Sequence, residues 1–395
     1  MNIETLNEII KQHPYYSCNK EYLHAKSFYD FPILTKNDVL LHKDLFYRQG
    51  GNLYIAYTSG STGVPMKIIW NWSDYYQSIA CLWRRRKTFN IGTTDFYLTC
   101  HNSMLVNGKV SVDPVILNKN FISLSKVLYT PELISEYIKY IRIFNPVWIY
   151  AQPSFVYQMG LFFKEKSPDL LTQFRYIELV GEMIDPTIKS AISGLFSNAQ
   201  VVSMYGMQEF NCIMYEKDGA LEECSENVRV EILNEEEKEC DIDEEGDIVV
   251  TGLKNKIFPL VRYKTEDRGK KINVGGKIRY EITKGKANDS FTCNDRVYDG
   301  SIFFHVVLKY NLEYGADILR FQIIQREKTL YFKLCGMKNL LSDFQVAKQI
   351  KEILNQEFSI DCDVEVEFVS DFTKFSSGVS KNKYFIRECG KEVSL

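Results

Sequence analysis

The run Tyr57–Ile68, YTSGSTGVPMKI, is the part of this sequence whose residue types most plainly invite chemistry. It follows the apolar segment Leu53–Tyr57 and is dense in small and hydroxyl residues. Small residues let backbone N–H groups approach an anion closely. Here Gly60 and Gly63 would do so, while Thr58, Ser59, Ser61 and Thr62 add hydroxyl donors. Such a loop suits a polyphosphate. It does not have the G-x-x-x-x-G-K-[ST] spacing of a P-loop. A polar hairpin turn is the competing reading, and twelve residues in this order weigh against it.

The elements that would hold this loop follow from patterning. Leu53–Tyr57 and Ile68–Trp70 read as strands on either side of it, and Asp74–Arg86 as a helix capped by Ser73. Upstream, Leu6, Ile9 and Ile10 share a helical face that Pro14 is expected to end, and Thr35 caps a second helix. Downstream, strands at Phe96–Thr99, Val147–Tyr150, Tyr176–Val180 and Val201–Tyr205 alternate with helices at Pro131–Ile143 and Ile188–Leu195. This alternation predicts a layered α/β domain. Short strands at Val228–Leu233, Asp247–Thr251, Leu260–Tyr263 and Lys277–Ile282 then predict an antiparallel, small β-barrel-like module. The polar stretch Lys284–Asp289 reads as a hinge. Strands at Phe303–Lys309, Leu319–Gln325, Leu330–Leu334 and Val364–Phe368, with a helix at Asp343–Phe358, predict a mobile α+β C-terminal lobe. The expected domains are therefore 1–287, binding nucleotide and acid, and 288–395.

Composition limits the function classes. In 395 residues, 48 basic against 51 acidic side chains leave a charge of −3, which gives no electrostatic case for binding nucleic acid. The 45% apolar and 25% charged content excludes a disordered or fibrous chain. No run of about 18 apolar residues predicts a membrane span. The start, MNIETLNEIIKQHP, has no apolar leader core, so a cytoplasmic protein is expected. Ten Cys are scattered singly and read as reduced core thiols.

TSGSTG-x-P resembles the phosphate-binding loop of the adenylate-forming superfamily, which includes acyl-CoA synthetases, peptide-synthetase adenylation domains and luciferases. Four further segments resemble that family's motifs in order: MYGMQE (Met204–Glu209), PLVRYKTED (Pro259–Asp267), GKANDSF (Gly285–Phe291) and SKNKYFI (Ser380–Ile386). The short chain, FPILTK, VGEMIDP (Val180–Pro186) and FQIIQ (Phe321–Gln325) are similar to the phenylacetate–CoA ligase-like branch, especially its relatives in capsule-polysaccharide clusters. The resemblance implies a large α/β domain with a mobile C-terminal lobe. It also implies ATP-dependent activation of a small-molecule carboxylic acid to an acyl-adenylate, with pyrophosphate release.

By the same resemblance, Thr58, Ser59, Gly60, Ser61, Thr62 and Gly63 hold the ATP phosphates. Tyr205 and Gly206 meet the adenine, with Gly181 and Glu182 lining its pocket. Gln208 donates to the α-phosphate, Glu209 binds Mg²⁺, and Asp267 accepts from the ribose hydroxyls. Lys286 stands where Arg is usual, and Lys381 is the mobile-lobe lysine, with Lys383 as the competing assignment. The acceptor is a thiol such as coenzyme A. An amine, a carrier protein, AMP transfer to an acceptor, or a nucleotide-binding protein without ligase activity stay open, as does a homodimer.

Several positions depart from the pattern. Met66 occupies the usual loop lysine, with Lys67 beside it, and Glu266 replaces the Gly before Asp267. Some members of the branch carry a Cys/His metal site after the Tyr-Gly segment. Here Cys212 and Cys224 have neither a His nor a C-x-x-C beside them, so they read as inert thiols and no structural metal is expected. The basic run Trp83–Lys87 reads first as a solvated helix face and second as a contact for a phosphate-bearing carrier. His101 reads as structural before it reads as a gate to the acid pocket.

Overall fold

Leu53–Tyr57 pairs antiparallel with Lys67–Asn71, and Tyr57 stands opposite Lys67, so the two ends of the Gly/Ser run are brought side by side. The computed structural model describes residues 8, 10–47, 51–57, 66–101, 104–106, 109–111, 114–125, 131–184, 186–284, 290–293, 296–299, 302–316, 318–336, 341–369 and 385–388. The loop 58–65 and the hinge 285–289 lie outside them, as do Leu6, Ile9 and 370–384. The chain divides into two compact units, Met1–Thr93 with Val202–Ala287, and Thr94–Val201 with Asn288–Leu395.

The first unit is built on seven antiparallel strands in the order Val228–Leu233, Glu245–Gly252, Tyr263–Val274, Lys277–Lys284, Ala220–Glu223, Asn211–Lys217 and Gln200–Met207. Ile213, Ile232, Ile248 and Val250 project from it into a core shared with Tyr16, Phe46, Trp70 and Phe258. A helical segment that includes Glu8 and Ile10–Gln12 stops at His13, just before Pro14 as expected, and Pro14 itself opens a further helix, Pro14–Cys18, because proline at the first helical turn loses no hydrogen bond. Thr35 and Asp38 form a reciprocal cap on Lys36–Leu41, as expected of a Thr at that position. The expected single helix at 74–86 is two, Trp72–Ser78 and Ala80–Thr88. The first is capped two residues early by Asn71, whose side chain accepts from the Asp74 N–H at 2.7 Å, so Ser73 lies inside the helix.

The second unit holds four parallel strands, Tyr176–Leu179, Trp148–Ala151, Tyr97–His101 and Phe121–Ser125, with Val115–Leu117 antiparallel at one edge. The helices Pro131–Phe144 and Pro153–Lys166 make the crossovers between strands. Leu98, Ile149 and Ile177 face these helices in a core with Tyr137, Phe155 and Phe163. The C-terminal sheet runs Asp363–Phe368, Thr329–Gly336, Ile318–Arg326 and Phe385–Glu388, with its own core around Ile323, Phe332 and Ile350. The strand expected at Phe303–Lys309 is a helix, Ile302–Tyr314. Its aromatic and β-branched residues favour a strand locally. Phe303, Val306, Val307 and Tyr310 nonetheless bury at i, i+3, i+4 and i+7, and that helical stripe decides.

No helix among the described residues is long and apolar enough to cross a membrane.

The first unit is tied together by one buried ion pair. Arg262, 3% exposed, donates through Nε to Glu231 Oε2 at 3.2 Å and places Nη2 3.1 Å from Oε1. Its Nη1 donates to the carbonyls of Tyr29 (2.8 Å) and Phe31 (2.7 Å), so the one cation joins the early stretch of chain to the carboxylate. Arg262→Met leaves Glu231 buried without its cation and should destabilise the chain by about 3–5 kcal/mol, read as the shift in a urea unfolding curve. Adding Glu231→Leu should recover much of that loss. Equal stability of the two variants would show that the pair is not coupled.

Candidate active site

The site grows out of the strand Tyr263–Val274. Alternation turns Tyr263, Thr265 and Asp267 inward and Lys264 and Glu266 outward. Against the neighbouring strand, Lys264 pairs with Val249 and Arg268 with Asp247, so four steps on one side oppose two on the other. This bulge aims Asp267 inward. Thr265 Oγ1 donates to the Ile248 carbonyl at 2.8 Å and accepts from the Asp267 N–H at 3.2 Å, which satisfies the backbone that the bulge unpairs. Glu266 has φ +71°, a left-handed conformation that favours glycine. The glycine-type backbone is therefore kept here although the glycine is not.

A second bulge lies between Gln200–Met207 and Asn211–Lys217. Tyr205 pairs with Met214 and Gly206 with Cys212, leaving Ile213 as the extra residue. At Gly206 a Cβ would lie 2.1 Å from the Asn211 carbonyl oxygen, so only glycine fits. The bulge turns Tyr205 so that its hydroxyl donates to Asp267 Oδ2 at 2.7 Å. Burial, and then the Asp267 carboxylate, hold the Tyr205 phenol well above its ordinary pKa. Glu209, 4% exposed, follows on the turn and is hydrogen-bonded by the Tyr263 phenol, whose pKa burial and Glu209 also raise. The structure thus brings Tyr205, Gly206, Glu209 and Asp267 into one cluster and adds Tyr263. Sequence reasoning missed Tyr263, although its place in the RYKTED run two residues before Thr265 was a usable signal.

Gln208 is exposed on the turn before Glu209. Gly181 (φ +77°) and Glu182 belong to the other unit. There Glu182 caps a helix, its carboxylate accepting from the Ser154 N–H (3.2 Å) and Oγ–H (3.0 Å), while Gln152 donates to the Gly181 carbonyl at 3.5 Å. Thr58, Ser59, Gly60, Ser61, Thr62, Gly63, Lys286, Lys381 and Lys383 lie outside the described residues. Met66 is fully buried in the core, and Lys67 Nζ sits 5.7 Å from the centre of the Tyr47 ring. His101 Nδ1 is 2.8 Å from Ser123 Oγ.

Chemically, a buried carboxylate can accept from several donors at once, which suits Asp267 to a pair of hydroxyls. Glu209 offers hard oxygen ligands, the donor chemistry that Mg²⁺ prefers, and its burial makes a neutralising cation favourable.

The two bulges give opposite expectations. Glu266→Gly removes left-handed strain and should raise stability by up to about 1 kcal/mol in urea unfolding. Gly206→Ala should lower it, because a backbone carbonyl stands in the way.

The model of the AMP-binding enzyme family matches residues 42–255. No curated protein matches at the sequence level. Among solved structures, the chain is similar to a 2-hydroxyisobutyryl-CoA ligase in the postadenylation state with R3-HIB-AMP, at 13% identity and a TM-score of 0.72, covering 98% of this chain and 88% of that one. It is also similar to the anthranilate CoA ligase AuaEII with anthranoyl-AMP, at 14% identity and a TM-score of 0.56, covering 84% and 64%. A benzoate CoA ligase from Burkholderia xenovorans LB400 matches at 11% identity and a TM-score of 0.53, covering 83% and 67%. The family match covers more than half of the chain, the fold agrees, and the residues that carry the family's central motifs converge. The chain belongs to the AMP-binding enzyme family, within the adenylate-forming superfamily.

Proposed function

We propose that the chain activates a carboxylic acid with ATP and passes the acyl group to a thiol, coenzyme A first among candidates. The observation that carries this reading is the 2.7 Å hydrogen bond from Tyr205 to Asp267, which joins two motif residues 62 positions apart. In the first step an oxygen of the acid attacks the α-phosphorus and pyrophosphate leaves. In the second, the thiol sulfur attacks the acyl carbon and AMP leaves, so one hard condensation becomes two easier steps.

Each residue has a physical task in this scheme. Asp267 accepts from both ribose hydroxyls, and the Tyr205 hydroxyl holds that carboxylate in place while its ring meets the adenine. By the motif resemblance, Gly181 and Glu182 would line the adenine pocket. Thr58, Ser59, Gly60, Ser61, Thr62 and Gly63 cradle the β- and γ-phosphates. Gln208 donates to the α-phosphate. Glu209 would hold magnesium, which when bound neutralises charge on the phosphates. Lys286 and Lys381 bring further positive charge from the hinge and the C-terminal lobe, with domains 1–287 and 288–395 turning about Asn288–Asp289. The CoA ligases among the similar structures support coenzyme A as the acceptor, and the phenylacetate–CoA ligase-like motifs support an aryl or other small acid in a capsule-related setting.

A second reading, a nucleotide-binding protein without ligase chemistry, is favoured by one feature. Met66, at the position of the loop lysine, is sealed in the core.

Acid-dependent ATP–pyrophosphate exchange across aryl, hydroxy, fatty and sugar acids separates the two. Exchange with at least one acid, abolished by omitting magnesium, is the expected result; tight ATP binding with no exchange for any acid would favour the second reading. Asp267→Ala should weaken ATP binding about 10- to 100-fold, the worth of hydrogen bonds to a charged group. Tyr205→Phe, which keeps the ring and loses only the hydroxyl, should cost roughly fivefold. Unchanged ATP affinity in Asp267→Ala would remove the ribose assignment.

A further inference from the structure

Cys81 and Cys224 are joined as a disulfide across 143 positions of sequence, which corrects the expectation that the cysteines are all reduced core thiols. The other cysteines among the described residues are thiols, and two of them, Cys293 and Cys362, meet in the C-terminal lobe. Cys293 ends the strand Ser290–Cys293, which pairs with Arg296–Asp299 as a two-stranded hairpin in a sheet of its own. This hairpin is the first described element after the stretch Lys284–Asp289. Alternation turns Phe291 and Cys293 to one side. Phe291 is buried in the lobe's core, with ring centres 4.8 Å from Phe303 and 5.7 Å from Phe385. Cys293 Sγ donates to the Asp361 carbonyl at 3.6 Å, and the next residue is Cys362. The two thiols are hydrogen-bonded to each other.

Cys362 sits on a segment that its neighbours hold in place. The helix Asp343–Phe358 ends at Ser359 (φ +55°), whose N–H donates to the Asn355 carbonyl at 2.9 Å, and the Ile360 N–H donates to the Leu354 carbonyl at 3.2 Å. Lys351, on the same helix, pairs with Asp361 at 3.2 Å and Asp363 at 3.5 Å, the residues on either side of Cys362. The partner sulfur is thus presented to the hairpin by a fixed turn. The two sulfurs are also unlike. Cys293 is partly exposed, whereas Cys362 is 7% exposed. Burial, and then the neighbouring Cys293, push the Cys362 thiol up to about 12, so it keeps its proton at neutral pH and can donate it to Cys293. Burial raises the Cys293 thiol as well, but the hydrogen bond from Cys362 pulls it back. Cys293 is therefore the sulfur that solvent reaches and whose thiolate has a donor beside it. An inert pair of core thiols would need neither the exposure nor the asymmetry.

We propose that Cys293 and Cys362 are a modification site, a dithiol that exchanges with a low-molecular-weight disulfide and closes into a disulfide that clamps the hairpin to the body of the lobe. Cys293 loses its proton and attacks one sulfur of the small disulfide. A sulfur–sulfur bond forms to Cys293, the small disulfide's own bond breaks, and the first small thiolate leaves and is protonated. Cys362 then gives up its proton and attacks Cys293 Sγ, expelling the second small thiolate, which is protonated in turn. Two cysteine thiols are oxidised and one small disulfide is reduced to two thiols, so atoms and electrons balance. The clamp has something to act on, because a two-stranded hairpin is marginal by itself. This one leans on the lobe through Phe291 and Cys293, and the new bond makes the second of these contacts covalent.

The test uses the whole folded chain, incubated at graded ratios of oxidised to reduced glutathione. Remaining thiols are alkylated, and the chain is digested without reductant and mapped by mass spectrometry. Peptides joined through Cys293 and Cys362 are expected, with the exposed Cys18 carrying a glutathione under the same conditions. Cys362→Ser should stop at the mixed disulfide, with glutathione retained on Cys293. Cys293→Ser should leave Cys362 unmodified. In the linked parent, amide hydrogen exchange over 290–293 and 296–299 should slow at least about tenfold relative to the reduced chain. If either variant does not fold, the parent's map decides: no Cys293–Cys362 link at ratios that fully modify Cys18 overturns the site. Glutathione on Cys362 of a folded Cys293→Ser would overturn the order of attack, and unchanged exchange in the linked parent would overturn the clamp.

Discussion

The hydrogen bond between Tyr205 and Asp267 is the constraint around which the first unit is arranged. It requires a phenol and a carboxylate from two different strands to meet out of bulk water, at a separation of 2.7 Å. Regular pleating would fix each side chain by register alone. Both strands instead carry a bulge next to the residue concerned, and both bulges depend on backbone outside the common regions. Gly206 and Asn211 (φ +60°) shape one, and Glu266 the other. Strain of about 1–3 kcal/mol at such positions persists only where the surroundings over-determine it. Here the surroundings include Thr265, bonded to both Ile248 and Asp267, and the Tyr263–Glu209 contact.

The same economy governs the charged run Trp83–Lys87. As sequence it is a dense cationic stretch, suggestive of a phosphate-bearing partner. In the structure its three arginines are spent within the protein, while Lys87 is exposed. Arg84 meets Glu226, Arg85 a backbone carbonyl and the Phe89 ring, and Arg86 is buried with its guanidinium 4.7 Å from the Trp83 ring. These contacts anchor the short helix on the strands that follow the Tyr205–Glu209 turn.

Much of this was legible in advance where pattern and chemistry agree. The alternation around Val147–Tyr150 and Tyr176–Val180 marks buried parallel strands, Thr35 with Asp38 marks a cap, and the motifs of Tyr205, Glu209 and Asp267 mark residues that the fold gathers into one cluster. What was not legible has physical reasons. Ile302–Tyr314 has strand-like composition but is held helical by the stripe it buries. Asn71 takes the cap from Ser73 because its side chain reaches the Asp74 amide. Glu182 serves a helix N-terminus, a role set by where Ser154 lies in space. The cysteines read as separate reduced thiols include one pair, Cys81 and Cys224, joined as a disulfide across 143 positions, a contact that no local spacing encodes.

The carbonyls of Tyr29 and Phe31 reach Arg262 only because the first unit is assembled from two distant stretches of chain, Met1–Thr93 and Val202–Ala287. During synthesis the early stretch leaves the ribosome about ten seconds before its partner, at ordinary rates of about 5–20 residues per second. Through that interval Tyr16, Phe46 and Trp70 have no completed core to enter. The intervening strands and helices can fold first, so completion of the first unit's core is a late event in the making of the chain.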